Sequence, residues 1–155
     1  MARLAFCDKI FEYLKEKSSE SLTVTRENDE IILSANGIAK HTALPEDSVN
    51  AVALIADALR GCEALSEKTR EICAFLYGIC SDYYGGYLGI ACDDSDFGKM
   101  TFVNYGINAN ESSVTLDFNI RYGVSVDREK MKAKLAEKFS EYGFSVRSLT
   151  NQYLI

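Results

Sequence analysis

The sequence has no hydrophobic run long enough to cross a membrane. Its longest apolar stretches, such as residues 51–56, fall far short of the roughly 20 residues that a transmembrane helix needs. Residues 1–3 do not lead into the apolar core of a signal peptide. Both absences predict a cytoplasmic protein with no membrane partner.

Positive charge is also scarce. The chain has 17 Lys and Arg residues against 23 Asp and Glu residues, a net charge of -6, and no basic cluster offsets this balance. Such a chain repels phosphate backbones, so we expect no nucleic-acid partner. There is a single proline, and apolar residues make up 47% of the 155 residues, which predicts one folded domain and not a disordered tail.

Histidine and paired cysteines, from which many metal sites are built, are nearly absent. His41 is the only histidine, and the five cysteines have no CxxC spacing, which predicts free thiols in or near the core. The motifs HxD, HExxH, GxSxG and GxGxxG are missing. Because a hydrolytic metal centre needs several ligands and a serine or cysteine hydrolase needs a base, we expect this chain alone to bind no metal and to be inactive.

Hydrophobic periodicity predicts alternating helices and strands. Segments with apolar residues every three or four positions predict four helices, at residues 7–17, 46–61, 66–82 and 127–143. Alternating or β-rich segments predict six strands, at residues 2–6, 21–26, 30–39, 99–107, 113–124 and 144–149. This order predicts an α+β fold with one antiparallel sheet and helices packed on one face, built in the manner of a ferredoxin-like domain.

His41 is the first candidate for a functional residue. It follows a predicted strand and precedes a predicted helix whose first turn would contain Glu46 and Asp47. An imidazole at such a junction can donate a hydrogen bond to a developing oxyanion. The alternative is an ordinary exposed loop histidine.

Arg121 and Asn104 are the other candidates. Arg121 continues the polar face of a strand that also carries Asp117 and Asn119, and its guanidinium could bind a carboxylate through two parallel hydrogen bonds. The alternative is a surface cation paired with Asp117. Asn104 is the weakest of the three candidates.

Three blocks resemble the lid domain of the co-catalytic zinc dipeptidases. Residues 37–51, GIAKHTALPEDSVNA, are similar to the signature G-x-x-A-H-x-x-x-P-E-x-G-x-N-A of that domain. Residues 98–106, GKMTFVNYG, resemble its G-x-L-T-x-N-x-G block, and residues 116–124, LDFNIRYGV, resemble its D-x-R-Y-P-V strand. The order of the blocks and the spacing of about eighty residues between His41 and Arg121 also match.

The resemblance has three departures, at Lys40, Ser48 and Gly123. Lys40 stands where the family has a small residue, Ser48 where it has glycine, and Gly123 where it has proline. The superfamily includes carnosinases, beta-Ala-Xaa dipeptidases, acetylornithine deacetylase and succinyl-diaminopimelate desuccinylase. The departures bear on substrate preference more than on the fold.

The resemblance implies roles for all three candidates. In these enzymes a separate catalytic domain holds two zinc ions and a glutamate base, and the lid closes over it. The resemblance implies that His41 is a catalytic residue that stabilises the oxyanion. It also implies that Arg121 binds the carboxylate of a dipeptide or acylated amino acid and that Asn104 contacts the substrate.

We therefore expect residues 1–155 to be the lid domain of a zinc-dependent dipeptidase-like hydrolase, with catalytic-domain segments before and after it. Its partner would be the zinc domain of the same polypeptide, which would hold both zinc ions. The alternative is a stand-alone ferredoxin-like module for small-molecule binding or oligomerisation, because this fold carries many unrelated functions.

Overall fold

The computed structural model describes residues 1–110 and 112–147. In chain order the elements are β1 (Ala2–Ala5), α1 (Asp8–Glu16), β2 (Leu22–Glu27), β3 (Glu30–Ala35), α2 (Ala51–Arg60), α3 (Glu67–Ser81), β4 (Asp93–Asp94), β5 (Gly98–Lys99), β6 (Thr101–Ala109), β7 (Val114–Arg121) and α4 (Arg128–Ser140).

The first three strands form one sheet in the order β1-β3-β2, and β3 is antiparallel to both neighbours. β1 and β2 are therefore parallel, are joined by α1 and have β3 between them, which is the split β-α-β arrangement of ferredoxin-like domains. The core of this half is aliphatic. It includes Leu14 from α1, Leu22 and Val24 from β2, and Ile31 and Leu33 from β3.

The second half is built on the β6–β7 hairpin. Its register runs from the pair Thr101 and Arg121 to the pair Ala109 and Val114. The core of this half is aromatic: Phe102 stacks on Phe118 with ring centroids 4.5 Å apart, and Phe75 of α3 stacks on Tyr142 at 4.1 Å. Offset and edge-on contacts of this kind add to the free energy of burying the rings.

Helices α2 and α3 lie between the two cores. Ala53 of α2 belongs to the aromatic core, whereas Ala58 and Leu59 belong to the aliphatic core. In α3, Cys73 belongs to the aliphatic core and Phe75 to the aromatic one. One pair of helices therefore serves both halves of the chain.

The predicted α+β class, its antiparallel strands and its ferredoxin-like character are confirmed. Within the described residues, however, the strands fall into three sheets and not one, and the short β4–β5 pair was not predicted. Loop carbonyls occupy backbone donors at the start of the hairpin: Phe102 donates to Tyr83 at 2.7 Å and Met100 donates to Cys92 at 2.8 Å. These bonds replace the pairing that a single sheet would require.

The last predicted strand, at residues 144–149, is not found in its described part. Residues 144–147 are irregular, because the backbone N–H of Phe144 folds back to donate to Phe139 at 3.0 Å and its ring packs near Phe75. Residues 148 and 149 lie outside the described residues.

All five cysteines are free thiols, as predicted. Cys62, Cys73 and Cys80 are buried, and burial raises the pKa of the Cys80 thiol to about 12. None of the helices in the described residues is both long and apolar enough to span a bilayer.

Candidate functional site

His41 lies in a loop that is closed at its base. We call residues 39–48 the His41 loop. On either side of it, Ile38 and Val49 form an antiparallel bridge, with N–H to O distances of 2.9 and 3.0 Å. Gly37 permits this close approach, since a Cβ there would lie 2.3 Å from the carbonyl oxygen of Val49. β3 thus ends at Ala35, whereas the sequence predicted a strand that runs to residue 39.

The predicted helix start at residue 46 is wrong. Helix α2 begins at Ala51, and its cap is Asn50, whose side-chain oxygen accepts from the N–H groups of Val52 and Ala53 at 2.8 and 3.2 Å. Asp47 has a φ of 61°, a left-handed conformation that is incompatible with a right-handed helix. Glu46 and Asp47 therefore lie outside the first turn, and His41 is positioned by the loop and not by the helix.

The His41 side chain is exposed, and its ring has a defined orientation. Its Nδ1 accepts a hydrogen bond from the backbone N–H of Ala43 at 3.3 Å, and its carbonyl oxygen accepts from Leu44 at 2.9 Å. Because Nδ1 acts as the acceptor, the neutral imidazole carries its proton on Nε2. Nε2–H is then a donor with no partner within the described residues, as an oxyanion-stabilising group requires.

Arg121 is half-buried at the end of β7. Its Nε donates to the Asn119 side-chain oxygen and its Nη2 to the Thr42 hydroxyl, both at 3.3 Å. Over residues 1–110 and 112–147 it forms no ion pair, and Asp117, the partner in the alternative interpretation, does not neutralise it. A partly desolvated guanidinium held by neutral acceptors is suited to binding an anion.

The Thr42 contact places Arg121 against the His41 loop. Thr42 follows His41 directly and is 79 positions from Arg121 in the sequence. The guanidinium of Arg121 and the His41 loop therefore belong to one surface. An oxyanion donor and a carboxylate-binding group can act on one small substrate only if they are close in this way.

Asn104 lies at a different kind of place. It is buried on β6 next to a bulge, and its Nδ2 donates to the carbonyl oxygens of Gly106 and Asp117 at 2.9 and 3.1 Å. Its Oδ1 accepts from Nδ2 of Asn50 at 3.2 Å. Both amide hydrogens are therefore used inside the domain, and Asn104 connects the bulge to the cap of α2. Its contact with substrate stays a prediction.

Two tyrosines that follow α3 hold the other part of the His41 loop. The Tyr83 hydroxyl donates to the Ser48 carbonyl oxygen at 2.9 Å, and the Tyr84 hydroxyl donates to the Glu46 carboxylate. The Tyr84 hydrogen bond, with a smaller contribution from Lys99, lowers the pKa of Glu46, and the same hydrogen bond raises the pKa of Tyr84. No periodicity in the sequence signals these contacts, which join residues more than thirty positions apart.

Asp94 organises the segment that follows Arg121. Its buried carboxylate accepts from the hydroxyl and the N–H of Ser125 at 2.6 and 3.0 Å, and from the N–H groups of Asp96 and Phe97 at 3.0 and 3.1 Å. These bonds, those from Ser125 first, lower the pKa of Asp94 to about 2. A Cβ on Gly123 would lie 2.4 Å from the Asp94 carboxyl carbon, so this contact needs glycine.

The described residues of this chain do not fit a zinc site. Within the described residues, no three His, Cys, Asp or Glu side chains converge in a way that could hold a metal ion. No protein-family model and no curated protein matches the chain.

Proposed function

We propose that this chain is the substrate-binding lid domain of a zinc-dependent dipeptidase-like hydrolase. The zinc catalytic domain, on another part of the same cytoplasmic polypeptide, would supply both metal ions and the general base. The lid would supply an oxyanion donor and a carboxylate-binding group for amide-bond hydrolysis. The substrate would be a dipeptide or an acylated amino acid.

The observation that carries the proposal is the hydrogen bond between Arg121 and Thr42. It joins an arginine without an ion-pair partner in the described residues to the loop that presents His41. The three motif blocks predict both residues independently of this contact. The bond places the guanidinium of Arg121 beside Thr42, the residue that directly follows His41, as a shared role for the two side chains would require.

The chemistry of the two side chains supports complementary roles. Arg121 has a planar fork that can bind both oxygens of a carboxylate, and its present partners are neutral. The Nε2–H of His41 can donate to the scissile carbonyl oxygen as negative charge develops there. Because this charge is larger in the transition state than in the substrate, His41 would act mainly on kcat.

Kinetics of the longer protein that carries this domain would test the proposal. We expect His41→Ala to lower kcat by about 10²–10³ with little change in KM. Arg121→Ala should instead raise KM strongly, and Arg121→Lys should restore it poorly, because lysine lacks the planar fork.

The comparison requires that each variant keeps the zinc content and the thermal unfolding temperature of the parent protein. A His41→Ala variant with kcat within about twofold of the parent value would contradict the oxyanion role, since loss of such a donor costs far more. An unchanged KM in Arg121→Ala would contradict the carboxylate role.

A further inference from the structure

We propose that Thr42 couples carboxylate recognition at Arg121 to the position of His41. Thr42 would thus be a positioning residue that makes the oxyanion donor respond to the substrate's carboxylate. The inference rests on the proposed function and extends it to a residue whose type the family signature does not specify.

The coupling has a short physical path. Nη2 of Arg121 donates to the Thr42 hydroxyl at 3.3 Å, and the next residue, Ala43, donates its backbone N–H to Nδ1 of His41 at the same distance. The guanidinium and the imidazole are therefore connected through three consecutive loop residues. A shift of Thr42 would be passed through Ala43 to the ring of His41.

No other hydrogen bond in the described part of the chain competes with this path. Within the described residues, the Thr42 hydroxyl makes the only hydrogen bond between residues 39–44 and the rest of the domain outside the loop. The hydroxyl groups of Tyr83 and Tyr84 donate hydrogen bonds to Ser48 and Glu46, at the other end of the loop. How well residues 39–44 are ordered thus depends on where the guanidinium of Arg121 lies.

The same contact shows how a ligand would act. Both acceptors on Arg121 are neutral and both distances are 3.3 Å, at the long end for hydrogen bonds, so the guanidinium is weakly held. A carboxylate forms shorter, charge-assisted bonds to the remaining donors of the fork. A guanidinium that a carboxylate holds in place would also hold the Thr42 hydroxyl in place, and residues 39–44 would become more ordered.

The coupling also predicts substrate preference. A substrate without the carboxylate would lose part of kcat as well as affinity, because its transition state would meet a less ordered His41. This is the expected signature when binding energy from a remote group is used at the reacting centre.

Solution NMR of this chain tests the inference with N-acetylglycine as the probe and N-acetylglycinamide, which lacks the carboxylate, as the reference. Two quantities are measured: the shift of the Arg121 Nε–H signal, which reports the clamp, and the solvent-exchange rates of the Ala43 and Leu44 amide protons, which report the loop. Both amides are hydrogen-bonded to His41.

We expect N-acetylglycine, but not its amide, to shift the Arg121 signal and to slow both exchange rates severalfold. In Thr42→Val the Arg121 shift should remain while the slowing disappears, and Thr42→Ser should restore it. Thr115→Val removes an exposed hydroxyl elsewhere on β7 and should behave as the unmodified chain.

The outcomes separate the two proposals. Slowing of the Ala43 and Leu44 exchange that persists in Thr42→Val would overturn the coupling and leave the carboxylate clamp intact. An Arg121 signal that N-acetylglycine does not shift in the unmodified chain would contradict the clamp itself, and with it the coupling.

Discussion

The His41 loop is held in different ways at its two ends. At residues 45–48, Pro45 is fully buried, and Tyr83 and Tyr84 bind Ser48 and Glu46. At residues 39–44, His41 is exposed and one hydrogen bond to Arg121 is the tie to the rest of the described domain. The well-held end determines where the loop lies, whereas the weakly held end carries His41, the proposed oxyanion donor, and has fewer contacts that would oppose a response to a ligand.

The largest effect is expected when the base of the His41 loop is opened. Gly37→Ala places a Cβ 2.3 Å from the Val49 carbonyl oxygen, and backbone atoms cannot give way as a flexible side chain can. We expect a loss of unfolding free energy of about 1–3 kcal/mol and faster exchange at both ends of the loop. Urea unfolding and amide exchange measure the two effects.

Gly86→Ala is the matched control, because its nearest neighbour would be an ordinary contact at 3.6 Å. If Gly37→Ala were as stable as Gly86→Ala, the Ile38–Val49 bridge would not be what closes the loop.

A smaller effect on stability is expected at Asp94, which holds the segment that follows Arg121. Its folded pKa of about 2 lies below the ordinary value of 3.8, so its contribution to stability is present above about pH 4 and is lost as the pH falls towards 2. Asp94→Asn should therefore be less stable than the unmodified chain near pH 6, with the difference shrinking near pH 2.5.

Asp93→Asn serves as the comparison, because Asp93 is exposed and accepts none of the hydrogen bonds that Asp94 accepts. Denaturant unfolding curves at the two pH values decide the matter. A stability difference for Asp94→Asn that is the same at both would show that the carboxylate charge is not what organises residues 123–125.

The smallest effect should come from Tyr84→Phe, which tests whether the two ends of the His41 loop respond independently. It removes one hydroxyl from the well-held end, so amide signals at residues 46–48 should shift while those at Ala43 and Leu44 stay in place. Tyr105→Phe, at an exposed tyrosine with no hydrogen bond to the loop in the described residues, is the control. A change in Ala43 that equals the change at residue 46 would mean that the ends are not independent.

Local sequence signals were sufficient for most elements of the fold. Helices α3 and α4 begin within one residue of the predicted positions, and Ser66 and Asp127 cap them by accepting from the N–H groups of Thr69 and Lys130 at 3.2 and 3.1 Å. The alternation of Val114, Leu116, Phe118 and Ile120 against polar neighbours predicts one core face of β7. The last three pack against the aromatic core, whereas Val114, near the turn of the hairpin, is exposed. Capping and alternation depend on residues a few positions apart, which is why they can be recognised in one sequence.

The start of α2 could not be predicted from local signals. The acidic residues after Pro45 are typical of a helix N-terminus, yet they form a turn, Val49 pairs with Ile38, and helical geometry begins only after the cap Asn50. The division of the strands into three sheets has the same origin, because loop carbonyls bind N–H groups at the start of the hairpin. Tertiary contacts overrode a reasonable local preference in both cases.

The candidate site was predictable in part. Motif resemblance pointed to His41 and Arg121, and in the structure Arg121 bonds to Thr42, the neighbour of His41 in the sequence. Motif resemblance did not point to Tyr83, Tyr84 or Asp94. Their contacts join loops that are distant in sequence and leave no periodic pattern. Asn104 was predicted for its motif, but the internal hydrogen bonds of its amide could be seen only in three dimensions.

The contact between Gly123 and Asp94 has an evolutionary consequence. Any side chain at position 123, including the proline ring that the zinc dipeptidases carry there, would occupy the space of the Asp94 carboxyl group. The two positions therefore cannot change separately: a homologue with proline at 123 must also have a smaller residue at 94 and another acceptor for Ser125. Among homologues, glycine at one position and aspartate at the other should be inherited as a pair.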